Sequence, residues 1–381
     1  MRHFMRDHIE IEETHKRHRL HFQRPTGRVP THEMNVMEWR FIERLAGARE
    51  GDYRRDPEAV YVAYQRAMGV CMLGQFIPDN ALSMGSAGYE ADTPRTATTG
   101  AARIVLDGIA IDSPEAVCEH LERVAWPRRR AQAAAFDEAE RAAQIVARER
   151  DLQRRCGPEI LKTGYGFVPF PSFAYGAYGY ENYFMAYALY PEVLERDFAS
   201  QADLCLLHNR AAARAFAEGD LPPFYRLDHD MADGRGLLVD VRSLERLWLP
   251  HFARCLEPVL RAGVRLVWHC DGNLMDLVPR LIDVGVRGFQ GFQYECGMDY
   301  PAICRMKAAD GGDLLIMAGV SVTRTLPRGR PQDVRRELAW LVDNGPPTGL
   351  FLGASSSITP GVPWENLQAL VEGLRHYRQH R

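Results

Sequence analysis

The sequence lacks any long apolar stretch. No run approaches the roughly 20 residues that cross a bilayer, and the opening segment MRHFMRDHIEIEETHKRHRLHF is too polar for a secretory signal. A strong excess of one charge is also missing, since the formal net charge is −3 at pH 7. Such a chain has no electrostatic attraction for nucleic acids or acidic membranes. We therefore expect a cytoplasmic protein that binds neither.

Paired cysteines are absent as well. The eight cysteines are scattered, and none belongs to a Cys-x-x-Cys motif of the kind used in zinc knuckles and redox pairs. No phosphate loop, GxGxxG or GxSxG pattern stands at a useful position, which argues against a nucleotide cofactor. What is present, 46% hydrophobic and 25% charged residues in 381, is typical of a globular protein with a large core.

Short apolar runs alternate with segments of helical spacing along most of the chain. This alternation predicts a mainly parallel sheet with right-handed crossovers, and its length predicts a closed (β/α)₈ barrel, the TIM barrel. We expect a helical extension over residues 1–27 and a single barrel domain over 28–381, with a long loop or a small hairpin at 78–112. The expected strands cover residues 28–34, 70–77, 166–170, 224–230, 264–271, 288–295, 314–321 and 349–355.

Several expected strands end in groups suited to acid–base or metal chemistry. Function in such barrels gathers at the carboxyl ends of the strands, which meet at one mouth. Any one such residue is more often structural, but several on one face favour a site. Alternate residues of a strand share a side, so His269 and Asp271 are expected to face the axis together. The candidate catalytic residues are Glu33, Asp230, His269 and Asp271.

The stretch PFPSFAYGAYGYENYF, residues 169–184, combines aromatic side chains with small residues. Large rings on a glycine-containing loop suit a lid or pocket wall for a flat or apolar ligand. The alternative is that these rings simply pack the barrel rim. The candidate substrate-binding residues are Phe173, Tyr175, Tyr178 and Tyr180.

The second half of the chain contains a series of ordered motifs. They are DHDMADGRGLLVD, WHCDGNLMDLVPRLIDVGVRGFQGFQ, CGMD at 296–299, GVSVTRTLPRGRPQDVRRELAWLV and the C-terminal SSSITPGVPWENLQALVEGLRHY. These motifs resemble the uroporphyrinogen decarboxylase superfamily, in which His, a variable residue, Asp or Cys, Gly and Asn precede a helix and a turn follows the next strand. The resemblance covers residues 224–378 and is thin before them.

That resemblance implies a barrel with one of two activities. One is cofactor-free decarboxylation of uroporphyrinogen. The other is methyl transfer to or from a corrinoid on a separate small protein, as in methylcobamide:coenzyme M methyltransferases and related O-demethylase systems. The decarboxylase's Arg-Gln-Ala-Gly-Arg stretch is missing here, and the first strand reads RVPTHEMN instead. The sequence therefore favours the corrinoid-dependent methyltransferase branch.

The coenzyme M enzymes imply zinc held by a His-x-Cys pair and a distant Cys. Here His269 matches the histidine, Asp271 stands at the first cysteine position, and Ser356 stands near the second. The resemblance thus implies a harder nitrogen and oxygen site, with Asp271 or Glu33 as further ligands. The candidate metal ligands are His269, His229, Glu295 and Cys296.

We carry three functional hypotheses from the sequence. The first is a methyltransferase that acts on an O- or N-methylated small molecule, with a corrinoid protein as partner, zinc as a possible cofactor and a homodimer as a possible assembly. The second is a metal-free decarboxylase for a tetrapyrrole or other carboxylated substrate, in which Asp230 or Asp271 stabilises a protonated intermediate. The third is a non-catalytic barrel that only binds a ligand.

Overall fold

The structure is a computed structural model that describes residues 28–83 and 104–380, together with the backbone of three short N-terminal strands. These strands, Phe4–Arg6, Ile9–Thr14 and Arg17–His21, pair antiparallel in sequence order. The helical extension expected over 1–27 is therefore wrong wherever the backbone is described. The reason is visible in IEIEET, whose apolar and charged residues alternate with the period of a strand.

Eight parallel strands form the central sheet. The strands are β1 Thr31–His32, β2 Val70–Leu73, β3 Leu161–Lys162, β4 Phe224–Asp228, β5 Arg265–His269, β6 Gly288–Gln290, β7 Leu315–Val320 and β8 Leu350–Ala354. In spatial order they run β3-β2-β1-β8-β7-β6-β5-β4, so consecutive strands of the chain are neighbours except where β3 and β4 meet. Those two edges are joined by a single parallel bridge between Gly164 and Tyr225.

The sheet therefore curls like a TIM barrel, but its hydrogen-bonded ladder is not continuous. This corrects the expectation of a closed barrel, and the parallel βα alternation itself is confirmed. Physically, β3 is only two residues long and cannot form a full ladder with β4.

Helices follow the strands along the chain. They are α1 Trp39–Ala46, α2 Asp52–Arg55, α3 Pro57–Ala67, α4 Pro114–His120, α5 Trp126–Ala134, α6 Glu138–Cys156, α7 Tyr175–Tyr178, α8 Tyr180–Leu189, α9 Pro191–Gly219, α10 Val241–Leu247, α11 Leu249–Arg261, α12 Val278–Asp283, α13 Tyr300–Arg305, α14 Thr325–Arg328, α15 Pro331–Asn344 and α16 Trp364–Tyr377. A π-helical turn, Leu121–Ala125, links α4 to α5. None of the helices in the described part is long and apolar enough to cross a membrane.

Other short elements decorate this frame. Hairpins form at Val105–Leu106 with Ile109–Ala110 and at Ala232–Asp233 with Gly236–Leu237. Short 3₁₀ turns cover Asn80–Ser83 and Tyr294–Cys296. Most of the loop expected at 78–112 lies outside the described residues.

The core has two parts. A large cluster of buried apolar side chains lies between the helices and the sheet. A smaller one takes side chains from five strands, which places it inside the curl: Met72, Phe224, Val267, Leu315, Met317 and Phe351. Every residue of β7 and β8 is buried, as expected for parallel strands covered on both faces.

The strand expected at 166–170 is not formed, and the corresponding strand is β3, a few residues earlier. Gly166 has a positive φ of 77° and Pro169 has no amide hydrogen, which prevents a ladder there. The amides of Phe167 and Val168 donate to the Tyr225 hydroxyl instead, at 2.7 and 2.8 Å. The apolar run is therefore buried as a loop.

Candidate functional site

The carboxyl ends of the strands surround a cavity of about 300 Å³. Its walls come from segments far apart in the sequence, which the curled sheet brings to one mouth. The residues lining it are Glu33, Asn35, Gln75, Ile77, Asn80, Arg226, Asp228, His269, Gln290, Ala354, Ser356 and Ser357. The lining confirms that the strand ends share one face. This cavity is the candidate active site.

Arg226 organises the inner wall of this cavity. Its Nη1 lies 3.2 Å from Glu33 Oε1 and donates to Gln290 Oε1 at 2.7 Å. Its Nη2 donates to Asp228 Oδ2 at 3.2 Å. One guanidinium from β4 thus links the residue after β1 to the end of β6.

Glu33, a candidate catalytic residue, is buried and fully engaged in this network. Its Oε2 accepts the backbone amides of Gly74 and, at 2.8 Å, Gln75. Burial raises the pKa of Glu33, and the charge of Arg226 opposes that shift. Glu33 therefore lies at the mouth as expected, with both oxygens already occupied.

Asp230, His269 and Asp271 converge at the same mouth. Each offers one ligand atom, and these atoms all lie within 4.8 Å of one another. The backbone amide of Asp271 donates to Asp230 Oδ1 at 2.9 Å, and Ser356 Oγ donates to Asp271 Oδ2 at 3.1 Å. His269 Nδ1 and Asp271 Oδ1 are buried without a hydrogen-bond partner among the described residues. The structure thus brings together three of the predicted catalytic residues.

The charge states of this trio suit a cation. Burial lowers the pKa of His269 to about 4, so its imidazole is neutral at neutral pH. Burial, followed by the nearby charge of Asp230, raises the pKa of Asp271 to about 6. Burial also raises the pKa of Asp230. A neutral imidazole and two closely spaced carboxylates form a donor set for a divalent metal. The positive charge of the metal would offset the repulsion between the carboxylates.

The other three predicted metal ligands do not belong to this group. His229 Nε2 accepts the backbone amide of Phe173 at 3.0 Å, within the aromatic cluster. Glu295 Oε1 accepts the hydroxyls of Ser321, at 2.6 Å, and Thr323. Cys296 Sγ donates to Gln293 Oε1 at 3.7 Å. Glu295 and Cys296 lie in a 3₁₀ turn several residues beyond the end of β6.

The predicted substrate-binding aromatics divide into two pairs. Phe173 and Tyr178 are core residues with 4% exposure, and the Tyr178 hydroxyl bonds to His120 Nδ1 at 2.9 Å. Tyr175 donates to the carbonyl of Asp230 at 2.9 Å and stacks on His229. Tyr180, 38% exposed, packs on Tyr175 with ring centroids 4.4 Å apart. Tyr175 thus lies beside the candidate site with Tyr180 packed on it, and the other two belong to the core.

Sequence reasoning missed the polar inner wall, above all Arg226 and Gln290. A signal was present, because each is a polar residue in a short strand that is largely buried. Arg226 also stands two residues before Asp228, on the same side of β4. Such a residue in a barrel strand points either to the interior or to the mouth.

Comparison with solved structures supports the fold. A methyltransferase from Methanosarcina mazei superposes with a TM-score of 0.55 at 16% identity, over 92% of this chain and 94% of that one. At this identity the likeness concerns the fold. No protein-family model and no curated protein sequence matches the chain.

Proposed function

We propose that this protein is a methyltransferase that moves a methyl group between a small methylated molecule and a corrinoid carried by a partner protein. The observation that carries the proposal is the convergence of Asp230, His269 and Asp271 at the cavity mouth. The fold shared with a methyltransferase from Methanosarcina mazei supports the reaction class. The corrinoid and its carrier rest on the sequence resemblance described above.

The mouth residues fit a divalent metal such as zinc. One imidazole nitrogen and two carboxylate oxygens form a typical nitrogen and oxygen donor set with room for further ligands. Leaving His269 Nδ1 and Asp271 Oδ1 buried and unpaired costs free energy that a bound ligand would recover. When bound there, the metal would supply Lewis acidity toward the atom that carries the methyl group.

The chain's own residues have distinct parts in this proposal. His269 provides an uncharged nitrogen, and Asp230 and Asp271 provide negative charge. Ser356 orients the Asp271 carboxylate, and the Asp271 amide orients that of Asp230. The amides and hydroxyls of the cavity wall bind and position a polar substrate.

The cavity supports a small substrate rather than a tetrapyrrole. Its volume of about 300 Å³ is at the lower end of the range for small-molecule sites. Arg226 is the one lysine or arginine lining it in the described chain, and it is already shared by Glu33 and Asp228. A substrate with many carboxylates would have no free cation to bind.

A direct assay tests the proposal. The purified protein is incubated with cob(I)alamin and a panel of methoxy and N-methyl compounds, and methylcobalamin formation is followed by visible spectroscopy. We expect transfer from at least one compound, and a loss of about 100-fold or more in His269→Ala. His251→Ala, on helix α11, is the matched control and should keep its activity. Full activity in His269→Ala, or no transfer from any donor, would contradict the proposal.

A further inference from the structure

The cavity carries an unbalanced negative charge. Glu33 and Asp228 line it directly, and Asp230 and Asp271 belong to the trio at its mouth. Against these four carboxylates stands the single guanidinium of Arg226. The formal excess is three negative charges, and a divalent metal on the trio would still leave an excess of one. With every carboxylate ionised, the formal charge of the cavity is therefore negative with and without a metal.

Asp228 is the carboxylate best placed to meet a ligand. Its side chain is 32% exposed, whereas those of Glu33 and Arg226 are at most 8% exposed. Its Oδ2 accepts from Arg226 and, at 3.1 Å, from the Tyr165 hydroxyl. Among the described residues, no hydrogen bond or ion pair involves its Oδ1. Asp228 is thus fixed on one side and open on the other.

The rest of the wall is uncharged and mostly polar. Asn35 donates to Ser357 Oγ at 2.8 Å and accepts from Asn80 at 3.1 Å, which holds this side in one arrangement. Ile77 and Ala354 are the apolar residues among those lining the cavity. A ligand that suits these walls is small, makes hydrogen bonds and does not need a large apolar surface.

We propose that the substrate of this cavity is a small organic cation, a methylated ammonium compound with a polar group, and that Asp228 is its counter-ion. The inference rests on the proposed methyl transfer and narrows its substrate class. A charge buried in a concave site is stable only beside an opposite charge, and the cavity offers negative charge in excess. Anionic methyl donors are excluded by the same argument.

Calorimetric titration with a matched pair of ligands tests the inference. Choline and 3,3-dimethylbutan-1-ol have the same shape, but the second replaces the charged nitrogen with carbon. We expect choline to bind the wild-type protein at least about 10-fold more tightly, with an affinity that falls as salt is added. Equal or tighter binding of the alcohol, or no binding of choline, would overturn the proposal.

Two variants test whether Asp228 is the counter-ion of the bound cation. Asp228→Asn keeps the shape and hydrogen-bond acceptor, and should weaken choline about 10-fold while leaving the alcohol unchanged. Asp203→Asn, which removes a surface carboxylate paired with Arg254 at 2.8 Å, should change neither ligand. An unchanged choline affinity in folded Asp228→Asn would overturn the role of Asp228. Thermal unfolding checks that the variant folds, and the wild-type ligand pair remains decisive if it does not.

The two proposals fail in different ways. Tight binding of choline without methyl transfer from any donor tested would contradict methyl transfer and leave the cation site intact. Methyl transfer from a neutral methoxy compound, without binding of choline, would contradict the cation site and leave the proposed function intact.

Discussion

At the scale of single residues, the site depends on one buried cation. Arg226 contacts Glu33, Asp228 and Gln290, and so connects three strand ends through one guanidinium. Buried ion pairs add little net stability over apolar replacements, but breaking one leaves an unpaired buried charge. The main role of Arg226 is therefore to hold Glu33 and Asp228 in position.

Replacing Arg226 tests this dependence. Arg226→Met should lower the free energy of unfolding by about 3–5 kcal/mol, because the carboxylate of Glu33 remains buried without its partner. Adding Glu33→Gln should recover much of that loss, since a neutral amide still accepts the amides of Gly74 and Gln75. Urea unfolding of the two singles and the double measures the coupling. Losses of stability in the two single variants that simply add in the double variant would contradict this dependence. As a control, Arg254→Met at an exposed ion pair should cost at most about 1 kcal/mol.

Glu337 gives a pH dependence with a defined sign. Its carboxyl accepts the amide of Ser321 at 2.6 Å, and burial raises its pKa from 4.5 to about 7. The folded state therefore binds the proton more tightly than the unfolded state, so this group's contribution to stability falls as pH rises from 4.5 to 7. Glu337→Gln should not lose stability as the pH rises, because an amide does not ionise. The variant should therefore be more stable than wild type at pH 8, and the difference in stability should shrink toward pH 5.

Urea midpoints at both pH values, for wild type and Glu337→Gln, measure this effect. Glu257→Gln, at a surface ion pair of α11, serves as the control with no such gap. A constant difference in stability between wild type and Glu337→Gln across the pH range would contradict the raised pKa of Glu337.

At the scale of elements, the sequence predicted strands and helices best where patterns were long. The apolar run before His269 was expected as a strand over 264–271, and β5 covers Arg265–His269. The prediction at 166–170 was wrong, because a buried loop and a buried strand share the same apolar pattern and Gly166 decides between them. The bond from Arg226 to Glu33 could not be predicted, because strand spacing does not fix which side chains meet across the barrel.

Strand pairing between β7 and β8 requires a residue without a side chain at Gly319. A Cβ on Gly319 would lie 2.1 Å from the carbonyl carbon of Ala354 in the neighbouring strand. Gly319→Ala should therefore destabilise the protein by about 1–3 kcal/mol or more, because backbone must move to admit it. Gly176→Ala in α7, where a Cβ meets nothing within 4 Å, should change stability by less than about 1 kcal/mol. Thermal unfolding compares the two, and equal stability of Gly319→Ala and wild type would contradict the packing.

At the scale of the whole molecule, the curled sheet is weakly joined between β3 and β4, and this junction is called the seam. Between β3 and β4 a single bridge, with the Gly164 amide 3.3 Å from the Phe224 carbonyl, replaces a ladder. Between β7 and β8 five residue pairs are in register. Local opening follows the weakest backbone contacts, so the seam should open before the β7–β8 pair.

Hydrogen exchange read by mass spectrometry tests the seam. Peptides that cover β3 and residues 163–165 should exchange faster than peptides that cover β7 or β8. Slower exchange at the seam than in β7 would show a closed ladder in solution, and would contradict the described pairing.

The most direct test of the account is metal content per chain, measured by elemental analysis after purification from zinc-supplemented medium without chelators. We predict about one equivalent of zinc in the wild type and in His251→Ala, and its loss in His269→Ala and Asp271→Asn. A wild-type protein free of metal, or variants that keep a full equivalent, would contradict a metal-binding mouth built from Asp230, His269 and Asp271.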